Sequence, residues 1–256
     1  MSEYKFDEAE VFNTIKTHWE EFMAKTHSDK CVIGISGGID STCVAALACK
    51  IFGKDHTYGI SLPCDEQHDM NDVNRVFETL VIHRLDFNIG DAFHSVINGV
   101  ENNGLEVSDV TRTNLPARLR MASLYAFAQS IPSALVINTC NLSEDILGYN
   151  TFGGDNIGSY APIRWLTKTE VRKLAALLRV PSFLIEKTPI DGLQPLSDEE
   201  KFGFSYLELD DYIRTGNPDF KHIDKVKSMY LKNKFKLDII DLPGPKFKFP
   251  NFIVDK

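Results

Sequence analysis

The sequence predicts an α/β fold in which a mostly parallel sheet is flanked by helices. From Lys30 onward, short runs of β-branched residues alternate with segments whose apolar residues recur at helical spacing. This alternation is typical of stacked β-α units. Polar or glycine-rich residues follow each apolar run and mark the strand ends. At a length of 256 residues, we expect residues 1–256 to form one α/β domain.

The first elements can be assigned in chain order. Residues 1–29 are expected to form a helical N-terminal segment. Short apolar runs predict strands at residues 31–35, 57–62, 81–86 and 134–139. The helix after the first strand has an apolar stripe that suits packing on a sheet. The stripe comprises Cys43, Val44, Leu47, Ala48 and Ile51. Gly53 is expected to end this helix.

Three later segments have distinct compositions. Residues 114–130 form a helix with apolar residues on every face, so we expect it to be buried or to lie in a subunit interface. Residues 187–204 contain two prolines and two glycines among charged residues, which indicates a lid-like loop. Residues 238–256 are expected to form an extended tail that is anchored by its aromatic residues.

Composition and charge exclude several classes of protein. Hydrophobic residues make up 43% and charged residues 25% of the chain, as in water-soluble globular proteins. The formal net charge of −8 argues against tight non-specific binding to nucleic acid or to anionic membranes. The sequence has no apolar run near the ~20 residues that span a bilayer, and no signal peptide. We therefore expect a cytoplasmic protein with neither membrane nor nucleic acid among its partners.

The cysteines indicate neither a disulfide framework nor a zinc site. They are odd in number and include no C-x-x-C pair. The five are Cys31, Cys43, Cys49, Cys64 and Cys140. We expect reduced, buried thiols.

A glycine-rich turn, IGISGGIDST at residues 33–42, joins the first strand to its helix. Paired glycines let backbone N–H groups approach a phosphate, Ser36 and Ser41 add hydroxyl donors, and the helix start adds its positive dipole end. The turn is therefore a candidate anion cradle, although an ordinary tight strand-to-helix turn remains an alternative. The sequence has no Walker-type P-loop and no G-x-G-x-x-G after this strand.

The S-G-G-x-D-S string within this turn resembles the pyrophosphate loop of N-type ATP pyrophosphatases. Residues 114–121 (NLPARLRM) are similar to the N-x-x-A-R-x-R-M helix of the ammonia-dependent NAD synthetases in that superfamily. Further strings at residues 139–168 and 197–210 follow the order and spacing of that family. The resemblance covers roughly residues 30–215, with a weaker match at Phe235-Lys236.

The resemblance implies an adenine-nucleotide α-hydrolase-like fold, a homodimer and a two-step reaction. ATP would adenylate the nicotinate carboxylate of deamido-NAD and release pyrophosphate, and ammonia would then displace AMP. Asp40 and Lys168 would be catalytic, and Asp40 and Glu144 would bind Mg²⁺. The implied ATP-binding residues are Gly34, Ile35, Ser36, Gly37, Gly38, Ile39, Asp40, Ser41, Thr139 and Lys168. The implied deamido-NAD-binding residues are Arg118, Phe152, Asp155, Ser159 and Lys236.

Each of these residues also has a purely structural interpretation. Asp40 could cap a helix that begins at Ser41, and Glu144 could simply favour a helix start through the dipole. Lys168 and Arg118 could be solvated surface charges. Thr139 could be an ordinary residue at a strand end.

The chain departs from the family pattern where the pattern concerns the dinucleotide. Phe152-Gly153 replaces a common lysine and aromatic residue, Ser159 replaces an aspartate, and Phe235 replaces a common histidine. Ile190 stands where a hydroxyl residue near ATP is common, a role that could pass to Thr188. The ATP half of the pattern is intact, so these changes bear mainly on dinucleotide recognition.

The sequence disfavours three other functions. A tRNA-modifying enzyme on the same scaffold is disfavoured by the acidic net charge and the lack of C-x-x-C. A non-catalytic nucleotide-binding module is disfavoured because Asp40 and Glu144 are both present. Glutamine dependence is disfavoured because about 30 residues precede the first strand, too few for a fused glutaminase domain. Ammonia is the expected nitrogen donor.

Overall fold

A computed structural model describes residues 4–66, 70–187, 197–239 and 241–247. The strands are β1 (Lys30–Gly34), β2 (Thr57–Ser61), β3 (His83–Asp86) and β4 (Ala134–Val136). The longer helices are α1 (Glu8–Lys25), α2 (Ile39–Phe52), α3 (Met70–Leu80), α4 (Gly90–Asn102), α5 (Asp109–Ser130), α7 (Lys168–Leu177), α10 (Tyr206–Thr215) and α11 (Ile223–Ile239). The short helices are α6 (Leu142–Leu147), α8 (Ser182–Ile185) and α9 (Asp198–Phe202), with a 3-10 turn at Lys54–His56.

The strands form one parallel sheet in the order β3-β2-β1-β4, which confirms the predicted fold class. The chain moves from β1 to β2 on one side, and β4 later pairs with β1 on the other. The strand order therefore reverses at β1. Ligands of open parallel sheets bind beyond the carboxyl ends of the strands at such a reversal, so the glycine-rich turn after β1 lies at the expected place.

Alternate residues of β1 face opposite sides of the sheet, as the two-residue period of a strand requires. Cys31 and Ile33 pack in a cluster with buried residues of α1, α2 and α7. Val32 points the other way and packs in a cluster with buried residues of β2 and α5. Helices thus cover both faces, which is the usual condition of a parallel sheet.

A third group of buried residues lies beside this core and is called the C-terminal cluster. It joins α6 to the helices that follow residue 197. Its members are Leu142, Ile146, Leu147, Phe202, Phe204, Tyr206, Leu209, Tyr212, Ile213, Phe220 and Val226. Because α6 follows β4 directly, this cluster packs against the element that leaves the carboxyl edge of the sheet.

Several predicted boundaries were wrong for local reasons. The strand predicted from Val81 begins at His83 instead, because Val81 has a φ of 53° and donates its N–H to the Phe77 carbonyl oxygen at the end of α3. The strand predicted at residues 134–139 ends at Val136, although Ile137 still pairs with Tyr160. The predicted lid-like loop 187–204 is partly helical, because Ser197 and Glu200 form a capping box at the start of α9. Residues 188–196 of that loop, including Thr188 and Ile190, lie outside the described residues.

Other predictions about the fold can be compared with the described residues. The helix after β1 ends at Gly53, whose φ of 93° suits glycine. The extended tail predicted at residues 238–256 begins later than expected, because α11 continues to Ile239; residues 241–247 have no regular secondary structure, Phe247 packs against the core, and residues 248–256 lie outside the described residues. All five cysteines are free, and Cys31, Cys43 and Cys140 are buried. No helix among the described residues is long and apolar enough to cross a membrane.

The helix predicted to be apolar on every face is buried along one side only. In α5, the buried residues are Pro116, Met121, Leu124 and Ala128. Leu119, Tyr125 and Phe127 are half-buried against the same core cluster. The chain therefore covers much of this helix without a partner, and a subunit interface remains a prediction.

Candidate active site

The glycine-rich turn is organised by its own side chains. The hydroxyl oxygens of Ser36 and Ser41 lie 3.1 Å apart, and the N–H of Gly38 donates to the Ser36 hydroxyl at 3.2 Å. Gly37 has a φ of 75°, and a Cβ there would lie 3.0 Å from the backbone nitrogen of Val73 in α3. The turn thus requires glycine at this position for both conformation and space.

The start of α2 suits an anion. Its N-cap is Gly38, which has no side-chain capping bond among the described residues. The N–H groups of a first helical turn lack intrahelical partners, and the helix dipole favours negative charge there. Ile35 differs, because its N–H is already bonded to the Ile60 oxygen of β2. The backbone N–H of Ile35 is therefore already occupied, whereas the N–H groups in the first turn of α2 have no intrahelical partner and can bind a phosphate.

Three charged side chains meet beside this helix start and are called the charged cluster. The Nζ of Lys168 lies 2.5 Å from a carboxylate oxygen of Asp40 and 2.7 Å from one of Glu144. They come from three elements: Asp40 from the first turn of α2, Glu144 from α6 and Lys168 from the first position of α7. All three elements begin at the carboxyl edge of the sheet or just beyond it.

The structure excludes the purely structural interpretations of Asp40 and Lys168. Asp40 is not the N-cap, because α2 begins at Ile39 with Gly38 as its cap. Lys168 is not a solvated surface charge, since its side chain is 4% exposed. Glu144 does lie in the first turn of α6, but its carboxylate also pairs with Lys168. Helix capping alone therefore does not explain why these three charged side chains contact one another.

Burial and neighbouring charges shift the pKa values of this cluster in opposite directions. Burial alone would lower the pKa of Lys168, but the carboxylates of Asp40 and Glu144 outweigh it, and the pKa of Lys168 is raised. Burial raises the pKa of Glu144 above its ordinary value, although the Lys168 ammonium opposes the rise. The lysine is thus held in its charged form.

Asn141 joins two of the three elements, a role that the sequence motifs did not assign to it. Its Nδ2 donates to Asp40 at 2.9 Å, and its Oδ1 caps α6 by accepting from the N–H of Glu144. Asparagine is a favoured N-cap residue, so its place before Leu142 was a signal for the cap. The contact with Asp40 spans 101 residues, and local sequence did not reveal it.

A second residue that the sequence analysis missed is the cation Lys187, at the glycine-rich turn. The Nζ of Lys187 is 2.7 Å from a carboxylate oxygen of Asp72 in α3 and 3.4 Å from the carbonyl oxygen of Gly37. This ion pair joins the end of the segment after α8 to α3 at the edge of the turn. Lysine within a loop rich in charged residues offers no local signal of such a contact.

Four of the residues implied for deamido-NAD form, together with Phe235, a separate and more exposed group called the substrate rim; the four are Arg118, Phe152, Asp155 and Lys236. Arg118 of α5 is exposed, and its Nε donates to the Phe152 carbonyl oxygen at 3.2 Å. Lys236 of α11 donates to the carbonyl oxygens of Gly148 and Asn150 at 2.8 and 2.7 Å. The loop after α6 therefore lies between α5 and α11.

Two departures from the family pattern meet in this rim. The rings of Phe152 and Phe235 have centroids 6.0 Å apart at an interplanar angle of 45°, and both side chains are partly exposed. Asp155 lies in the same loop, where its carboxylate accepts the Thr151 N–H at 2.6 Å. The rim thus presents an aromatic pair near two cations.

The remaining implied residues, Thr139 and Ser159, lie at the end of β4. Thr139 is half-buried and follows the strand by three residues. Ser159 donates its N–H to the Val136 oxygen at 2.8 Å. This backbone bond holds the segment around Ser159 against the strand, and the roles of the two hydroxyls remain predictions.

Known proteins share this fold and these motifs. The family model described as NAD synthase matches residues 11–240. The NH(3)-dependent NAD(+) synthetase of Pyrococcus furiosus is 36% identical over 203 residues, which are 79% of this chain and 77% of that protein. A structure of NMN synthetase from Francisella tularensis superposes with a TM-score of 0.84 at 30% identity, covering 93% of this chain and 99% of the other.

A structure of the NH3-dependent NAD synthetase from Campylobacter jejuni has a TM-score of 0.73 at 27% identity, again over 93% and 99% of the two chains. These similarities confirm the expected adenine-nucleotide α-hydrolase-like fold. The matched residues include the glycine-rich turn and all three members of the charged cluster. The chain therefore belongs to the NAD synthase family.

Proposed function

We propose that this protein amidates the nicotinate carboxylate of deamido-NAD with ammonia, using ATP and releasing AMP and pyrophosphate. One observation carries the proposal: Asp40, Glu144 and Lys168 converge beside the start of α2, which follows a glycine-rich turn and has no side-chain cap within the described part of the chain. Anionic phosphates bind at such helix starts. The family membership supplies the reaction class, and the charged cluster supplies the means to perform it.

In the first step, a carboxylate oxygen of the substrate attacks the α phosphorus of ATP, and the bond from that phosphorus to the bridging oxygen breaks. Pyrophosphate leaves with the bond electrons. A carboxylate is already a nucleophile at neutral pH, so the site requires alignment and charge neutralisation rather than a general base. The N–H groups at the start of α2 and the Lys168 ammonium would neutralise the phosphates.

In the second step, ammonia attacks the carbonyl carbon of the acyl adenylate and loses a proton, and AMP departs. The amide product is NAD. The exposed substrate rim would hold the dinucleotide through Arg118 and Lys236, whose positive charges suit its phosphates.

Asp40 and Glu144 fit a Mg²⁺ ion, because their carboxylates already converge on one cation and Mg²⁺ prefers oxygen ligands. No group of three or more His, Cys, Asp or Glu side chains in the described parts of the chain could hold a metal ion. Two carboxylates would leave positions for phosphate oxygens and water, as is usual for magnesium in nucleotide sites. When bound, the ion would offset the negative charge of the phosphates.

The proposal includes a homodimer. Val110 of α5 is 68% exposed, and Leu105 just before that helix is 63% exposed. The apolar side of α5 that the chain leaves half-covered could complete its burial against a second copy. Sedimentation should show about twice the mass of 28.9 kDa, and a clean monomer at micromolar concentration would contradict the dimer.

The reaction can be tested directly. The protein is incubated with deamido-NAD, ATP, Mg²⁺ and ammonium, and the nucleotides are separated by chromatography. NAD, AMP and pyrophosphate should form in equal amounts, and glutamine alone should be a poor donor. Formation of ADP and phosphate would contradict the proposal, as would AMP formation that does not depend on the acceptor.

A second candidate acceptor is nicotinate mononucleotide. It is favoured by the TM-score of 0.84 to the Francisella tularensis NMN synthetase, against 0.73 to the Campylobacter jejuni NAD synthetase. The aromatic pair Phe152–Phe235, which replaces polar residues of the family pattern, lies where dinucleotide contacts are expected. Comparing kcat/KM for the two acceptors under identical conditions decides between them, because the better acceptor has the higher value.

A further inference from the structure

The C-terminal cluster reaches the catalytic elements through one buried carboxylate. Asp210 of α10 is 4% exposed, so its charge requires partners. One of its oxygens accepts the hydroxyl proton of Ser143 at 2.5 Å, and the other accepts the N–H of Thr169 at 2.7 Å. Ser143 directly precedes Glu144, and Thr169 directly follows Lys168.

Ser143 closes the connection between the two elements. Its hydroxyl oxygen accepts the backbone N–H of Lys168 at 2.9 Å while its proton goes to Asp210. The start of α7 is therefore bonded to α6 through Ser143 and to α10 through Asp210. These bonds restrain the separation between the backbone of Lys168 and that of Glu144, whose side chains form one ion pair.

A second residue of α10 touches Lys168 itself. The Lys168 Nζ lies 5.3 Å from the centre of the Tyr206 ring, within cation–π range. Tyr206 and Asp210 are four residues apart and share a face of the helix. One face of α10 thus contacts both the side chain of Lys168 and the beginning of its helix.

We propose that Asp210 and Ser143 are positioning residues that hold Lys168 and Glu144 in register for the reaction. Neither needs to touch a substrate, since they act through the start of α7. The proposal rests on the proposed amidation reaction. α10 also contacts α7 at a second place, where Arg214 and Glu170 form a buried ion pair, but that contact involves neither Lys168 nor Ser143.

The test compares Asp210→Asn and Ser143→Ala with Leu209→Val. Leu209 lies next to Asp210 in the same helix and is fully buried in the C-terminal cluster, but it does not form these hydrogen bonds. All variants are assayed well below their Tm, which is measured in parallel. We expect Asp210→Asn and Ser143→Ala to lower kcat about 10- to 100-fold, as loss of supporting hydrogen bonds does in other sites. KM for the acceptor should stay near that of the wild type.

Leu209→Val is expected to lower Tm without lowering kcat. A fall in kcat that follows Tm across all three variants would overturn the proposal, because a purely stabilising role predicts that relation. The double variant Ser143→Ala/Asp210→Asn should be about as slow as the slower single variant, since both remove the same connection. Multiplicative losses in the double variant would also overturn it.

Failure of the proposed function is distinguishable from failure of this inference. If the wild-type protein forms no amide with ATP and ammonium, the proposed function fails. Affinity for Mg²⁺ and ATP, measured by calorimetry, then tests the positioning residues independently. Asp210→Asn and Ser143→Ala should weaken that affinity while Leu209→Val leaves it unchanged, and equal affinity in all variants would overturn the inference.

Discussion

The charged cluster and the substrate rim are built differently. In the cluster, Lys168 is almost fully buried, and its two carboxylate partners lie within 2.7 Å. In the rim, Arg118 is exposed, and the contact between Phe152 and Phe235 is open to solvent. Buried charges demand compensation from fixed partners, whereas exposed groups are satisfied by water.

This difference indicates at which positions substitutions are tolerated. A change in the cluster would leave a buried charge without its partner, so its members constrain one another. A change in the rim would remove exposed contacts, such as that of Arg118 with the Phe152 carbonyl oxygen, which water can replace. The departures from the family pattern at Phe152, Ser159 and Phe235 fall in or near the rim, in agreement with this distinction.

The largest effect is expected for Lys168→Met, which removes the cation between Asp40 and Glu144. We expect amidation to fall about 10³-fold, since loss of one preorganised charge-stabilising group has costs of that order. Lys173→Met, an exposed position on the same helix, should retain wild-type kcat. Steady-state kinetics of both variants measure the effect, and similar losses in the two would contradict a specific role of Lys168.

Asp40→Asn should be nearly as severe, with a loss of about 10²-fold, because it halves the carboxylate charge available to Mg²⁺. The variant should still fold, because Lys168 keeps Glu144 as a partner and Asp40 is not the cap of α2, but the lost ion pair should lower its Tm. Rates are measured over a Mg²⁺ titration, with the exposed Asp55→Asn as a control. Near-wild-type turnover at saturating Mg²⁺ would show that Asp40 has no role in catalysis.

Gly37→Ala should have an intermediate effect. The positive φ costs about 1–3 kcal/mol of stability for a residue with a side chain, and the new Cβ would lie 3.0 Å from α3. We expect KM for ATP to rise roughly tenfold, equivalent to ~1.4 kcal/mol.

Gly104→Ala is the matched control, because Gly104 has a φ of 76° but a Cβ there would meet no atom of the described residues within 4 Å. A similar loss of stability with unchanged KM is expected for the control, and unchanged KM in both variants would contradict a role of the turn in binding ATP.

The smallest effect is expected in the rim. Phe235→Ala removes one ring of an aromatic pair, worth about 0.5–1.5 kcal/mol. That energy corresponds to a roughly 2- to 12-fold rise in KM for the acceptor, with KM for ATP unchanged. Leu231→Ala, one turn earlier in α11 and 70% exposed, is the control. A change in KM for ATP in Phe235→Ala would mean that rim and cluster are not separate.

The sequence predicted the strands, the glycine-rich turn and the three residues of the charged cluster because each is marked locally, but it did not predict the ion pairs between them. Asp40, Glu144 and Lys168 all lie at the beginnings of helices, where charged residues are readily noticed. The resemblance to NAD synthetases then related these distant positions to one site. Without it, the sequence would have offered three separate candidates rather than one cluster.

The supporting contacts could not be predicted in the same way. Asn141 reaches Asp40 across 101 residues, and Ser143 reaches Asp210 across 67. Such contacts are set by how helices pack, and a serine or asparagine at a helix start already has a sufficient local explanation as a cap. Val81 shows that local sequence is also an incomplete guide to the fold: as a β-branched residue it favours a strand, but it adopts a left-handed turn conformation.

The pairing of β1 has a consequence for folding during synthesis. One edge of this central strand pairs with β2 soon after in the chain, but the other pairs Lys30 with Ala134, about 100 residues later. At ~5–20 residues per second, the ribosome needs roughly 5–20 s to supply that partner. During this interval the backbone groups along one side of β1 have no strand beside them, which makes the nascent chain prone to mispairing with other strands. Newly made chains should therefore aggregate more readily than refolded full-length protein, in which both neighbours of β1 are present from the start.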